Sequence, residues 1–188
     1  MKFILEVMKI KLIILFLPFI VFHSFYSQNR YEENLVVMDH NIMFYKKDMQ
    51  KLTGLVYNKH GDVGFFNQGL RDGLHKEWFR NGNLKDEINY KNGKKNGEFR
   101  YWDDKGQLLK DGYYKNDSLD GFIREWYHNG NIKLEVHYKS GKMHGLRTEW
   151  YKSGHKWSEQ NMKNGYVISG KHFYNDGTEI THGNFLKH

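Results

Sequence analysis

The chain contains no cysteine, a single proline and no hydrophobic run longer than the eleven residues Leu12–Phe22. The absence of cysteine excludes disulfides, cysteine zinc sites and a lipid-anchored cysteine. The one proline, Pro18, lies in that run, so no proline interrupts strand pairing further along the chain. The run is also shorter than the ~20 residues that a membrane-spanning helix needs. These absences suit a continuous sheet and exclude a lipoprotein.

Residues 1–28 have the layout of a secretory signal peptide. Two lysines precede the apolar run Leu12–Phe22, and a polar stretch follows it. We expect cleavage near Ser27, and Met8 would serve equally well as the start codon. The sequence therefore predicts an exported protein that is periplasmic, attached to the outer envelope or secreted.

The charge of the chain is moderately basic, with a formal net charge of +7. The lysines and arginines are interspersed with acidic residues and do not form long blocks. A nucleic-acid partner is therefore not expected, whereas weak attraction to an anionic membrane surface or to an acidic protein stays open.

A repeat of 24 residues dominates the rest of the chain. Its leading glycines are Gly73, Gly97, Gly121 and Gly145, and a tryptophan follows each of them five positions later, at Trp78, Trp102, Trp126 and Trp150. Self-similarity at a fixed period indicates a repeat protein. We divide the chain into a lead with an opening strand (29–53), a shortened unit (54–72), four full units (73–96, 97–120, 121–144, 145–168) and a worn last unit (169–188).

Each unit carries two turn signals, such as Asn81-Gly82 and Asn92-Gly93. Asparagine and glycine tolerate positive φ, which makes such pairs strong hairpin signals. The runs between the turns are short and rich in aromatic and β-branched residues, as is typical of strands. The predicted fold is all-β, an elongated single-layered antiparallel β-meander of tandem hairpins.

The repeat also predicts which residues share a face of the sheet. If an odd-length loop joins the two strands of a unit, residues at odd offsets from the leading glycine lie together. In the first full unit these residues are Leu74, Trp78, Leu84, Ile88 and Tyr90. This face is expected to be the core or a contact surface, and the even face is expected to be solvated. A two-residue loop would instead oppose Phe79 to Leu84.

A family resemblance rests on the motif Glu-Trp-Tyr-x-x-Gly-x-Ile/Leu-Lys-x-Glu-x-x-Tyr-Lys-x-Gly-Lys. This motif is complete in Glu125–Lys142 and nearly complete in Glu77–Lys94, and it resembles the MORN repeat variant. The segments Phe44–Asp48 and Leu52–Gly54 ahead of the array make the chain similar to the YwqK-type antitoxin family. The resemblance implies a MORN-like meander of hairpins and a protein that binds a partner, such as a toxin or a membrane-associated protein. Because an exported protein cannot neutralise a toxin inside its own cell, an envelope immunity role fits better.

The predicted function is therefore a repeat scaffold that binds a partner protein. The predicted binding residues are the ladder aromatics Trp78, Trp102, Trp126, Trp150, Tyr90, Tyr114 and Tyr138, although the tryptophans are first of all expected to form the core of the repeat. The alternative is a cell-envelope binder of lipid headgroups or polysaccharide, which would use the turn lysines Lys94, Lys95 and Lys142.

Other kinds of site are not expected. The carboxylates Glu87, Asp111, Glu135 and Glu159 recur in register, and cross-strand pairing with Lys85, Arg100, Arg124 and Lys133 explains them better than calcium does. His137, His144 and His155 lack metal-ligand spacing. No nucleophile or phosphate-loop motif is present, so no enzyme activity, cofactor or metal is predicted.

Overall fold

The structure is a computed structural model, and it describes residues 29–181. Within these residues the protein is all-β, with sixteen strands, one short 3-10 turn and no α-helix. The strands are β1 (Arg30–Glu32), β2 (Val36–Asp39), β3 (Ile42–Tyr45), β4 (Gln50–Lys51), β5 (Gly54–Asn58), β6 (Gly61–Asn67), β7 (Leu70–Trp78), β8 (Leu84–Lys91), β9 (Lys94–Trp102), β10 (Leu108–Lys115), β11 (Ser118–Leu119), β12 (Gly121–Trp126), β13 (Ile132–Lys139), β14 (Lys142–Trp150), β15 (Lys156–Lys163) and β16 (Tyr166–His172). The predicted signal peptide lies outside the described residues.

From β5 to β16 the chain forms one open antiparallel sheet in which consecutive strands are neighbours, with the short β11 pairing only with β10. This order is that of a meander of hairpins, so the predicted fold is confirmed. The sheet alternates two kinds of turn. Two-residue turns such as Asn92-Gly93 have φ angles of 50° and 78°, the left-handed values that asparagine and glycine tolerate.

The second kind of turn is a three-residue loop. In the first full unit, Phe79 N–H donates to the carbonyl of Asn83 at 2.9 Å, which leaves Arg80–Gly82 as the loop. Gly82 takes a φ of 92° there. The same backbone hydrogen bond recurs at the equivalent positions of the following units, for example between Asp103 and Gln107 and between Tyr127 and Asn131. The predicted odd-length loop with a left-handed glycine is therefore confirmed.

The prediction that residues at odd offsets share one face is nevertheless wrong for the first strand of each unit. The odd loop opposes Trp78 to Leu84, as expected, but a β-bulge follows at once, and Glu77 then pairs with Asp86. The extra residue in the second strand shifts the pairing by one and reverses which face each partner occupies. His75 therefore lies opposite Ile88, and Leu74 is 42 % exposed on the other side of the sheet.

The two faces of the sheet are consequently different. We call the face that carries the buried residues Ile88, Phe99, Ile123 and Val136 the core face. Tyrosines from several strands pack against these residues, including Tyr101 and others described below. The opposite face carries the tryptophans that end β7, β9, β12 and β14, because side chains alternate along a strand. We call it the tryptophan face.

Strands β2, β3 and β4 of the lead form a small sheet of their own, which the sequence did not predict, whereas β1 pairs in parallel with β5 of the long sheet. Strand β3, expected as the opening strand of the array, pairs with β2 and β4 instead. Val36, Met43 and Leu52 from this region share a core with Val56 and Phe66 of the long sheet. At its beginning the protein therefore has two layers, the small sheet and the long sheet.

A glycine in the β6–β7 turn fastens the small sheet to the long one. Gly69 N–H donates to the carbonyl of Leu52 at 2.7 Å, and the carbonyl of Gly69 accepts from Met43 N–H at 2.8 Å. A Cβ at position 69 would lie 2.9 Å from the carbonyl oxygen of Met43. Only glycine allows the two backbones to approach so closely.

Candidate functional site

The seven aromatic residues predicted to bind a partner do not form one surface. Tyr90, Tyr114 and Tyr138 lie on the core face, where they pack against the buried cluster. Each lies directly opposite the leading glycine of its own unit, as Tyr114 does opposite Gly97. The rings of these tyrosines therefore pack against the core face of the protein itself.

The four tryptophans Trp78, Trp102, Trp126 and Trp150 lie together on the tryptophan face and are half-buried. None of them belongs to the buried hydrophobic clusters of the described residues, so the expectation that they form the core is not met. The guanidinium of Arg124 lies 5.6 Å from the ring centroid of Trp126. Trp126 thus packs against a neighbouring polar side chain, and all four tryptophans keep part of their surface in contact with solvent.

A row of alternating charge runs across the strands beside the tryptophans. Its members, each directly opposite the next, are Lys76, Glu87, Arg100, Asp111, Arg124, Glu135, Thr148, Glu159 and Lys171. Ion pairs join Lys76 to Glu87 at 3.2 Å and Arg124 to Asp111 at 2.8 Å. The predicted pairing of this carboxylate ladder with Arg100 and Arg124 is confirmed.

Two other predicted partners of the carboxylate ladder pair elsewhere. Lys85 contacts Glu77 at 2.9 Å, and Lys133 contacts Glu125 at 3.5 Å. Both lysines lie near the β-bulges, where the shift in register takes them away from the ladder.

Large apolar side chains are exposed on the same face. They form a row that the charge row separates from the tryptophans. Leu74 is 42 % exposed, Tyr113 46 %, Phe122 56 % and Leu146 49 %. Phe122 stacks edge-on with His137, with ring centroids 5.0 Å apart. The tryptophan face thus combines exposed apolar groups with a neutralised charge row over several hairpins.

A third feature is a basic edge formed by the lysines that flank the two-residue turns. The exposed members of this lysine edge are Lys91, Lys94, Lys115, Lys139, Lys142 and Lys163. Because the turns of successive hairpins lie side by side, their lysines follow one margin of the sheet.

A cavity of about 530 Å³ lies where the small sheet meets β7 and β8. Its walls include Met38 and Met43 from the small sheet, and His75 and Asp86 from the array. His75 is only 5 % exposed and Asp86 only 8 %. The sequence analysis missed both residues, and the sequence gives no clear signal for them, because neither position holds a constant residue in the repeat. The other full units place Phe99, Ile123 and Arg147 at the position of His75, and Lys110, Leu134 and Ser158 at that of Asp86.

Burial perturbs both groups in the cavity. Desolvation, opposed by the hydrogen bond to the carbonyl of Phe65 at 2.8 Å and assisted by Arg71, lowers the pKa of His75 to about 4. The imidazole is therefore neutral at pH 7 and donates from Nε2. Desolvation and the nearby Glu77 carboxylate raise the pKa of Asp86 to about 6.

Asp86→Asn is expected to stabilise the protein at pH 8 by about 1–2 kcal/mol. The pKa of Asp86 in the folded state lies above its ordinary 3.8, so the wild type loses stability as pH rises from about 4 through 6. The asparagine variant does not lose stability in this pH range. Burying its amide has a smaller cost of its own, which reduces the net gain. Urea unfolding at pH 4.5 and pH 8 measures the difference, and the contribution of His75 cancels because both proteins contain it. Glu135→Gln on the opposite face is the matched control, and an equal effect of both substitutions would contradict the assignment.

Residues 29–181 contain no cluster of three or more metal-ligating side chains. No helix in this same range is long and apolar enough to cross a membrane.

Comparison with known proteins agrees with the geometry. The family model described as the MORN repeat variant matches residues 71–92, 95–116, 119–140 and 143–164. Each match covers one hairpin unit that includes a tryptophan, for example Trp78 in the first and Trp102 in the second. A search of curated proteins found no match. The chain therefore contains a tandem array of four MORN repeat variants. Such an array is a repeat scaffold that could bind partners.

Proposed function

We propose that this protein is an exported repeat scaffold that binds a partner protein through the tryptophan face. The observation that carries the proposal is the row of exposed apolar side chains Leu74, Tyr113, Phe122 and Leu146, which the charge row separates from the tryptophans. Large apolar side chains exposed on one face are a mark of protein interaction surfaces, and here each of them lies directly opposite a polar residue of the neighbouring strand. Tryptophan, tyrosine and arginine are enriched among the few residues that dominate the binding energy at such interfaces.

The charge row favours a protein over an anionic surface as the partner of this face. It contains four basic and four acidic side chains, each directly opposite its neighbour across the sheet. Such a row has no net charge and offers little attraction to lipid phosphates or acidic polysaccharides. It can still set the register of a partner through complementary charges at its margins.

The sharpest form of the proposal is an immunity or antitoxin-type role in the cell envelope. The signal-like layout of residues 1–28 supports export. The resemblance to the YwqK-type antitoxin family supports a toxin as the partner. A scaffold outside the cytoplasm would meet a toxin that enters from outside and would mask it by occupying an extended surface.

The lysine edge supports a second candidate function, binding of lipid headgroups or polysaccharide at the envelope surface. Lys94 and Lys142 at its turns are exposed, and a line of like charges attracts an anionic surface. This attraction weakens as salt screens it, whereas an aromatic interface persists.

Capture of envelope components tests both candidates. The full chain with a C-terminal tag serves as bait against envelope extracts of its own cell at low and high salt. We expect one protein to be retained at high salt and to be lost when Phe122→Ser and Leu146→Ser are combined. These residues are exposed, so the double variant should still fold, which circular dichroism checks.

Two controls separate the outcomes of the capture experiment. Tyr166→Ser changes a side chain that is 77 % exposed but lies on the last strand, away from the central hairpins, and should leave capture unchanged. Lys94→Glu with Lys142→Glu should also leave it unchanged. Capture of lipid or glycan alone, only at low salt and lost in the lysine variant, would replace the first proposal with the second.

A further inference from the structure

The lysine edge differs from the two faces of the sheet in that its charges have no partners. Most basic side chains on the faces of the array form ion pairs, for example Lys110 with Glu125 at 2.9 Å and Lys156 with Glu159 at 3.2 Å. Within the described residues, none of the six lysines of the edge forms an ion pair with a carboxylate. The edge therefore presents positive charge that the protein itself does not neutralise.

Four of these lysines form two pairs of like charge. Lys91 lies directly opposite Lys94 across the turn between β8 and β9. Lys139 lies directly opposite Lys142 across the equivalent turn between β13 and β14. Like charges at directly opposite positions destabilise a sheet. Both lysine pairs therefore cost stability.

The turns of this margin do not require a lysine at both positions. In the other two hairpins, Lys115 lies opposite Ser118 and Lys163 lies opposite Tyr166. The same kind of turn thus forms with one lysine and an uncharged residue. A destabilising feature that the fold does not need indicates a role in function.

The acidic residues at the same margin contact the backbone. Asp117 accepts a hydrogen bond from the backbone N–H of Lys95 at 2.8 Å, and Asp120 accepts one from the backbone N–H of Ser140 at 3.1 Å. These two carboxylates hold neighbouring turns together and leave the lysine pairs without a counter-charge. The missing component is therefore an anion from outside the described chain.

We infer that the lysine edge is a docking surface for a linear acidic polysaccharide with one carboxylate in each disaccharide. Successive turns of this margin are two strands apart, or ~9.6 Å, which is close to the length of a disaccharide. The turn of Lys91 and that of Lys139 are four strands apart, or ~19 Å, so one extended chain would meet both lysine pairs. This inference rests on the second candidate function and names its ligand class.

A polymer suits this edge better than a membrane surface does. Neighbouring strands of a sheet are rotated by ~20° relative to one another. Six strand spacings separate the turn at Asn92 from the turn at Asn164, so a margin of this kind rotates through roughly 120° between them. A flat surface does not meet four turns that point in different directions, whereas a flexible chain follows them.

Titration of the full chain with a hyaluronan octasaccharide, which carries four carboxylates, tests the inference by NMR. At ~0.1 M salt, where charges are screened within ~10 Å, we expect saturable shifts of resonances from the turns of the edge. The double variant Lys94→Glu, Lys142→Glu should bind about tenfold more weakly or worse, because each reversal replaces an attraction with a repulsion. The matched control is Lys105→Glu with Lys152→Glu, which makes the same change at exposed positions of the opposite margin and should bind as the wild type does.

Thermal unfolding separates lost binding from lost structure. The variant at Lys94 and Lys142 replaces two pairs of like charge with two pairs of opposite charge, so its Tm should equal or exceed that of the wild type. Lys94→Ser with Lys142→Ser is a second variant, which introduces the residue that Ser118 has at the equivalent position. It should also weaken binding, and it tests the inference even if the charge reversals disturb the fold.

Ligands of different length and charge decide the remaining outcomes. A hyaluronan tetrasaccharide is too short to reach both lysine pairs and should bind about tenfold more weakly, since two linked contacts raise affinity. A neutral chitin oligosaccharide should not bind. Equal binding of the tetrasaccharide, binding of the neutral chain, no binding of the octasaccharide, or equal losses in the variants of the two margins would each overturn the inference.

Vesicles that contain an anionic phospholipid test the membrane as the alternative occupant. Binding of vesicles through Lys94 and Lys142, without binding of the octasaccharide, would overturn the inference and leave the second candidate function standing. The capture experiment with Phe122 and Leu146 changes the tryptophan face alone, so the first proposal can fail while this inference holds, and the reverse.

Discussion

Phe99→Ala is expected to destabilise the protein by about 3–5 kcal/mol, the usual cost of removing a buried aromatic side chain. Phe99 is 1 % exposed at the centre of the core face. Its ring lies 4.6 Å from that of Tyr114 and 5.5 Å from that of Tyr101, measured between centroids. In a repeat protein each unit is stabilised by its neighbours, so a cavity here also weakens the coupling between adjacent hairpins.

Urea unfolding followed by tryptophan fluorescence measures the effect of Phe99→Ala. Phe122→Ala is the matched control, since it makes the same substitution one hairpin further along the same sheet, on a side chain that is 56 % exposed. The control should cost less than about 1 kcal/mol. Similar losses for the two variants would mean that the faces are assigned wrongly.

Gly112→Val is expected to destabilise the protein by about 3 kcal/mol, at the upper end of the cost of overpacking. Gly112 lies directly opposite Phe99, and the atom nearest to a Cβ at position 112 would be Cδ1 of Ile123 on the next strand. A Cβ there would lie 3.1 Å from Cε1 of Phe99 and 2.9 Å from the carbonyl oxygen of Phe122. The backbone atom cannot move aside without disturbing the sheet.

A double-mutant cycle tests whether the large side chain of Phe99 requires the absence of a side chain at Gly112. The next unit places Ile123 opposite Val136 at the equivalent positions. Phe99→Ile combined with Gly112→Val recreates that pair and should recover at least about 1 kcal/mol relative to the sum of the single losses. Additive losses would show that Ile123 or the backbone of Phe122, rather than the phenyl ring of Phe99, excludes a side chain at position 112.

The turns of this protein could be predicted from sequence because their chemistry is local. Asn92-Gly93 needs two residues that tolerate positive φ, and the sequence supplies them at the predicted place. The loop that ends at Gly82 follows the same rule. Because the sequence repeats every 24 residues, the same turns are predicted in each unit. The order of the strands follows from these turns.

The assignment of faces could not be predicted, because it depends on a β-bulge. One extra residue beside Trp78 changes the pairing of the whole remaining hairpin, and no residue type marks it unambiguously. The tryptophans, expected to form the core, therefore lie opposite it. The candidate binding face follows from this single shift in register.

The cavity depends on contacts between segments that are far apart in the sequence. Asp86 and His75 occupy positions that differ in every unit of the repeat, and their chemistry comes from burial beneath the small sheet of the lead. That sheet is built from short strands with little hydrophobic periodicity, and its position depends on backbone contacts at Gly69.

The sequence by itself determined the all-β class, the repeat, the turn types and the meander, since each depends on residues close together in the chain. Only the tertiary structure decided which face is packed, that Tyr90 and its equivalents are internal, and that Asp86 lines a cavity. The physical reason is that register and burial are set by contacts between strands, which side-chain patterns within one strand do not specify.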